Sequence, residues 1–336
     1  MTNVQTPDFW YAPPGIRSRL LAPIGYLYGQ ATRHRLSRAK PEPTQPPVIC
    51  IGNLTAGGGG KTPSAIALHD LLGRRDVHFL SRGHGGRAAG PVMVNPGQHK
   101  AHDVGDEPLL LARHAPCWVA RNRAAGHQAA AASGAGLIIM DDGLQNPSLT
   151  PSLRLLAVKG NLGFGNAQLI PAGPLREPLA SGLERVDALL SIGPPEHPTL
   201  SRLPDDKPVF IGHYVPDPTV MASLQDRKCL AFAGIARPNG FFEMLREHGI
   251  ALVNQLGFAD HETLSDGAWQ QLTHLARSYD AQLVTTEKDW VRLKPEQRDQ
   301  VTAVPITLSW ENSSALAGFV TERLNAKAGG AAADVS

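Results

Sequence analysis

The residues best suited to chemistry are Gly57, Gly58, Gly59, Gly60, Lys61 and Thr62, inside IGNLTAGGGGKTP at positions 51–63. Consecutive glycines let successive backbone N–H groups converge on phosphate oxygens, because no Cβ obstructs the bend. A helix opening at Thr62 adds the positive end of its dipole to the same anion. Lys61 is then placed for the β- and γ-phosphates and the Thr62 hydroxyl for Mg²⁺. The sequence departs from G-x-x-x-x-G-K-[ST] at one position, where Thr55 replaces the first Gly. A Gly-rich turn without phosphate is the bland alternative, and Gly-Lys-Thr after an apolar strand argues against it.

A second element is LIIMDDG at 137–143, an apolar strand ending in acid. Asp141 or Asp142 would face Mg²⁺ at the carboxyl end of an open sheet, where such folds bind ligands. Alone, DDG also reads as a turn; beside the cradle, the metal reading prevails. Thr286-Glu287-Lys288-Asp289 resembles a guanine-recognition element but lacks its intervening residue, so ATP is the expected nucleotide.

Four other segments are ambiguous taken singly. Asp106, in VGDEP at 104–108, is either a first-turn helix acid or a base for an acceptor hydroxyl. Arg176 and Glu177, in PAGPLREP at 171–178, either hold phosphate or form a surface pair. His261, in DHE at 260–262, either relays a proton or opens a helix, and SRGHGGR at 81–87 is a substrate loop or a turn.

The scaffold for these residues follows from the alternation of short apolar runs with helical patterns. Strands are expected at 48–52, 77–80, 118–120, 137–140 and 153–158, with helices at 62–72, 107–113 and 124–132. A second block places strands at 229–233 and 282–285 and helices at 240–248 and 266–278. The fold class expected is α/β: a P-loop NTPase-like, mostly parallel sheet with helices on both faces, plus a second, smaller α/β domain. The division expected is an N-terminal helix at 1–40, a core at 41–215, a smaller domain at 216–328 and a disordered tail at 329–336.

The first forty residues stand apart. Ile16, Leu20, Ile24, Leu27, Tyr28 and Ala31 share a helical face, and Arg17, Arg19, Arg33, Arg35, Arg38 and Lys40 supply positive charge. Phe9, Trp10, Tyr11, Tyr26 and Tyr28 are aromatics of the kind found at membrane interfaces. Two readings stay open: a helix lying on an anionic membrane, kinked near Pro23, or a helix packed on the domain.

Composition excludes several classes. Across 336 residues, 42% are hydrophobic and 18% charged, so the chain is globular and long enough for about two domains. A net charge of +2 gives no electrostatic basis for nucleic-acid binding. Three scattered cysteines show no metal spacing and suit a reducing compartment. No apolar run reaches the ~18 residues of a membrane span, and no secretory signal pattern opens the chain, so a cytoplasmic location is expected.

Taken in order, GNLTAGGGGKTP, SRGHGG, VGDEPLL, DDGLQ, LIPAGPLREP, FAGIARPNGFF, FADHE and TTEKDWVRL resemble the tetraacyldisaccharide 4'-kinase family of lipid A biosynthesis. The resemblance implies transfer of the ATP γ-phosphate to the 4'-hydroxyl of tetraacyldisaccharide 1-phosphate, in a cleft between two domains. It implies Asp106 as base, His261 as its relay, Arg176 and Glu177 as an active-site pair, and Asp141 and Asp142 at the metal. It also implies peripheral attachment to the cytoplasmic face of the bacterial inner membrane; no obligate protein partner is inferred. Holding a four-chain lipid in water is prohibitive at about 0.8 kcal/mol per CH₂, which favours the surface-lying helix. Three positions depart from the family's habit: His84 for Tyr, Gly59 for Thr or Ser, and Glu262 for a second His. A kinase of a soluble metabolite and an ATP-driven switch protein remain as alternatives.

Overall fold

Five-residue apolar runs such as VICIG and LIIMD lack the alternation of half-exposed strands, which calls for a sheet covered on both faces. A computed structural model describes residues 7–235, 238–259 and 264–333 and has this architecture. The chain divides into two compact units, one of Thr6–His99, Asp103–His213 and Leu308–Ser336, the other of Tyr214–Thr307 with Lys100–His102.

The first unit is built on β1 (Val48–Gly52), β2 (Val77–Ser81), β3 (Val92–Met93), β4 (Cys117–Val119), β5 (Leu137–Asp141), β6 (Leu153–Lys159), β7 (Ala188–Ile192) and β8 (Val209–Pro216). The second contains β9 (Lys228–Ala233), β10 (Ala251–Gly257), β11 (Gln282–Thr286) and β12 (Val301–Val304), after which β13 (Ile306–Trp310) crosses back. The large sheet has the order β13-β8-β7-β6-β1-β5-β2-β4-β3. β1 pairs in parallel with β5 on one side and β6 on the other, and Ile51 lies opposite Asp141. The chain leaves β1 between neighbours of opposite excursion, which is where open α/β sheets form a ligand crevice. The β3–β4 pair is antiparallel, a short edge on an otherwise parallel run.

The second unit is a four-stranded sheet in the order β10-β9-β11-β12, with parallel pairing throughout its described ladders. Helix Pro238–Glu247 buries Phe241, Phe242 and Leu245, and helix Asp266–Tyr279 buries Leu272 and Ala276. TTEKD here is structural. Thr286 caps a helical turn, and buried Asp289 accepts from Thr286 Oγ1 (2.7 Å), the Gly234 amide (3.0 Å) and Arg292 (2.9 Å). One carboxylate thus ties the ends of β9 and β11 together, consistent with the absence of guanine-recognition spacing.

Some elements differ from expectation. The apolar strand β7 and the strands β8, β10, β12 and β13 were not anticipated, since Pro-rich flanks and mixed exposure hide their periodicity. The span expected for the smaller domain, 216–328, ends earlier, because β13 and helix Ser313–Ala333 belong with the first unit. That helix also runs to Ala333, into the segment expected as a tail.

The N-terminal helix α1 (Ile16–Ser37) continues through Pro23 as one element and joins the two open readings. It packs on its own unit, but through small residues: Ser18, Gly25, Gly29 and Thr32 are buried. A Cβ at Gly25 would stand 2.9 Å from the Leu169 carbonyl oxygen, so only glycine allows this approach. Trp10, expected at a membrane interface, is instead buried and donates to the Pro171 carbonyl at 3.0 Å. Asn166 completes the attachment by donating to Ser18 Oγ and the Phe9 carbonyl. The opposite face, Ile16, Leu20, Ile24 and Leu27, is 55–77% exposed. No helix among the described residues is long and apolar enough to cross a membrane.

Candidate active site

The cradle is a loop that leaves buried β1 and turns into helix α2 (Lys61–Leu72). Gly57 (φ 103°) and Gly60 (φ 80°) occupy left-handed backbone that other residues adopt only under strain. Gly60 is the N-cap, so the dipole of a 12-residue helix ends at the loop. Gly59 has a separate reason for lacking a side chain: a Cβ there would stand 2.6 Å from Asn53 Nδ2. Asn53 organises the loop, donating to the Gly57 carbonyl (3.3 Å) and accepting from Lys61 Nζ (3.4 Å). Thr55 is buried, and its backbone bridges to Leu175 in an isolated antiparallel contact.

Register brings the acids to this loop. β5 ends at Asp141 beside the end of β1, and Thr62 Oγ1 donates to Asp141 Oδ2 at 3.0 Å. The second oxygen, Asp141 Oδ1, is buried with no hydrogen-bond partner. Burial pushes the Asp141 carboxyl up to about 7, opposed by the charge of Lys61. An orphaned carboxylate oxygen beside a hydroxyl is a set of hard oxygen donors that fits Mg²⁺, whose charge would offset that burial penalty. Asp142 takes positive φ (54°), and its carboxylate accepts from Arg176 at 2.9 and 3.2 Å while lying 3.8 Å from Lys61. Burial raises the Asp142 carboxyl, but Lys61 and Arg176 outweigh it and hold the group below its ordinary value.

The PAGPLREP loop is pinned to the cradle by its backbone. The Arg176 amide donates to the Leu54 carbonyl (2.8 Å), and the Ala56 amide to the Pro174 carbonyl (2.7 Å). The side chains of Arg176 and Glu177 take different partners. Arg176 turns to Asp142, whereas Glu177, only 1% exposed, accepts from Gln145 Nε2 (2.9 Å) and forms an ion pair with Arg185. The same Gln145 nitrogen also donates to the Asn53 carbonyl at 2.9 Å. Glu177 therefore braces the loop that carries Lys61.

Asp106 is buried at the first position of helix Asp106–Leu111, after Gly105 at φ 93°. The charge of its neighbour Glu107 is felt at Asp141. SRGHGGR packs on the same turn, since a Cβ at Gly105 would meet the His84 carbonyl at 2.6 Å. His261 and Glu262 lie outside the described residues.

Sequence reasoning passed over Asn53, Gln145, Arg185 and Arg123. Arg123 is 2% exposed, donates to the Ala120 carbonyl at 2.5 Å and leaves Nε without a partner. Burial lowers it to about 10, while the charges of Asp142 and Asp141 support its protonation. DDGLQ, with Gln one turn after the acids, held a signal for Gln145, and Asn53 lies inside the cradle motif itself, where its bonds to Gly57 and Lys61 are local.

The family model described as LpxK, tetraacyldisaccharide-1-P 4'-kinase, matches residues 17–325. A tetraacyldisaccharide 4'-kinase of Rhodospirillum centenum is 48% identical over 330 residues, covering 96% of this chain and 98% of that protein. Its counterpart from Rhodospirillum rubrum is 46% identical, covering 94% and 97%. Among solved structures, LpxK from Aquifex aeolicus in complex with ATP superposes with a TM-score of 0.76 at 28% identity, over 92% of this chain and 100% of that one. With the family model matching residues 17–325 and relatives matching over nearly the whole length, the chain belongs to the tetraacyldisaccharide-1-P 4'-kinase family.

Proposed function

We propose that this protein transfers the γ-phosphate of Mg-ATP to the 4'-hydroxyl of tetraacyldisaccharide 1-phosphate, the lipid A precursor, at a membrane surface. The observation that carries the reading is the meeting of Lys61, Thr62, Asp141, Asp142 and Arg176 at the ends of β1 and β5. Phosphoryl transfer asks little covalent chemistry of a protein; positioning and charge neutralisation supply the rate. The glycine cradle and the α2 N-terminus bind the phosphate chain. Lys61, held by Asn53 and Asp142, neutralises charge on the β- and γ-oxygens, and Arg176 does so on the transferring group. Thr62 and Asp141 would hold Mg²⁺, which when bound supplies further charge neutralisation. Asp106, buried at a helix start, takes the proton of the acceptor hydroxyl. His261 would pass that proton on.

The membrane part of the reading is supported by α1. Ile16, Leu20, Ile24 and Leu27 form a continuous exposed stripe, and Arg17, Arg19, Arg33, Arg35, Arg38 and Lys40 are exposed without an acidic partner among the described residues. Buried small residues fix the helix to the unit, so the stripe is presented outward for an anionic lipid surface. Dependence on ATP points to the cytoplasmic face of the inner membrane.

The test is direct transfer with labelled ATP, Mg²⁺ and tetraacyldisaccharide 1-phosphate in detergent micelles. Label on the distal sugar of the lipid is expected. Label released only as free phosphate would instead fit an ATP-driven switch, and transfer solely to water-soluble acceptors a metabolite kinase.

A further inference from the structure

The loop that carries Arg176 is bonded to the cradle on one side and to the segment under α1 on the other. Leu175 is the middle piece of a short backbone ladder. On one side it pairs with Thr55, through the Arg176–Leu54 and Ala56–Pro174 bonds already described. On the other it pairs with Leu169: the Leu175 amide donates to the Gln168 carbonyl and the Ile170 amide to the Leu175 carbonyl, both at 3.0 Å. Leu169 is in turn seated on α1. A Cβ at Gly29 would stand 2.6 Å from Leu169 Cδ1, and one at Gly25 would stand 3.3 Å from Leu169 Cβ. The two glycines are four residues apart, hence on one helical face, and form the notch that receives this side chain. A second tie is polar. Asn166 Nδ2 donates to Ser18 Oγ and to the Ala172 carbonyl, and Ser18 Oγ donates to that same carbonyl, all at 3.0 Å.

A continuous chain of contacts therefore runs from α1 through Leu169 and Leu175 to Thr55 of the cradle. Leu175 is buried in one cluster with Leu54 and Leu144, and Leu169 packs against that cluster. Close packing transmits displacement instead of absorbing it. Arg176 has its amide in the ladder and its guanidinium on Asp142, so the ladder sets where that charge stands. At a reacting centre, a misplacement of about 1 Å costs on the order of 10²-fold in rate.

We infer that the inward face of α1 positions the transfer site, with Leu169 as the positioning residue that carries the placement of the helix to Arg176 and the cradle. The inference rests on the lipid-kinase reading above and gives the helix a second task beside lipid contact. The outward stripe sets how α1 lies on lipid, and the glycine notch passes that setting inward. Turnover thus depends on the notch even where lipid binding does not.

The test measures phosphate transfer to tetraacyldisaccharide 1-phosphate in micelles, and vesicle co-sedimentation, for the wild type, Leu169→Ala, Gly29→Ala and the double variant. Each single variant should lose roughly tenfold in kcat while KM for the lipid changes by less than about threefold. Vesicle binding should stay at the wild-type level, because Ile16, Leu20, Ile24 and Leu27 are untouched. The double variant should lose less than the product of the two singles, since the methyl added at Gly29 takes space that Leu169 has vacated. Leu169→Met, of similar volume, should keep most of the rate. Wild-type kcat in both single variants would overturn the inference. So would losses that multiply in the double variant, the mark of two unrelated folding defects, or a loss of kcat that follows a loss of vesicle binding, the mark of a mere anchor. Wild-type protein that transfers no phosphate to the lipid would remove the lipid-kinase reading instead. The same pattern across the variants in ATP hydrolysis would then sustain the coupling, and its absence would overturn it.

Discussion

Replacing Glu177 with Ala tests whether this residue braces the site or takes part in the reaction. Its carboxylate is 1% exposed, bonded to Gln145 on one oxygen and to Arg185 on the other. Removing one partner of a buried ion pair costs about 3–5 kcal/mol, because the remaining charge stays desolvated. Arg185 is 34% exposed and can recover some hydration, which lowers the expected cost to about 2–3 kcal/mol. At about 2–4 °C per kcal/mol for a unit of this size, the melting temperature should fall by about 5–10 °C. Catalysis should suffer indirectly. Gln145 Nε2 loses Glu177 but keeps the Asn53 carbonyl, and Asn53 steadies Lys61, so the KM for ATP should rise by about tenfold or less. Glu177→Gln keeps an acceptor for Gln145 and should lose about half as much stability. Thermal unfolding beside steady-state kinetics separates the cases. An unchanged melting temperature with a hundredfold lower kcat would refute the bracing argument and return Glu177 to the reacting groups.

Three other perturbations address the acid, the metal end and the helix. Asp106→Ala should retain ATP affinity and lose roughly 10²–10⁴-fold in kcat, read by calorimetry and turnover; a wild-type rate would exclude Asp106 as the base. Asp141, raised to about 7 by burial, gives the folded state a proton that the unfolded chain has released. Metal-free protein should therefore lose stability as pH rises from about 4 through 7. Asp141→Asn should escape that loss, melt higher than wild type at pH 8 and no longer gain stability from Mg²⁺; a lower melting temperature with an intact Mg²⁺ response would contradict this. Replacing Leu20, Ile24 and Leu27 together with Ser removes about 1.5–3 kcal/mol of apolar burial per residue at a lipid surface. Vesicle co-sedimentation should fall by at least a hundredfold with nucleotide binding retained; unchanged sedimentation would move the anchor elsewhere.

Local chemistry made a good part of the protein legible. GGGGKT announced a phosphate cradle because glycine freedom, a lysine and a helix start must be contiguous in the chain to work together. LIIMDDG announced its partner because an apolar run ending in acids encodes both a buried strand and what lies at its tip. The strands β7, β8, β10, β12 and β13 were harder, since prolines beside β7, β8, β12 and β13 and the mixed exposure of β10 obscure their periodicity. The return of β13 and the last helix to the first unit had no local signal at all, because strand order is set by packing between distant segments.

Residue order alone encodes the element types around the cradle, the α/β class and the list of residues able to handle phosphate. It could not determine who pairs with whom. Adjacent Arg176 and Glu177 point to different partners, Asp142 and Arg185, because a loop bonded to the cradle by its backbone sends successive side chains apart. Asp141 and Asp142 likewise separate, one buried beside Thr62 and one turned by a positive φ toward Lys61 and Arg176. The amphipathic pattern of α1 was plain in the chain, yet it left open which face meets the protein. Only the tertiary structure decided that: small residues pack closely enough to hold the helix, and the leucines and isoleucines are left outside. Spacing along a chain encodes local geometry, whereas the partner of a side chain depends on how separate segments, such as those of Thr62 and Asp141 or Arg176 and Asp142, are brought together.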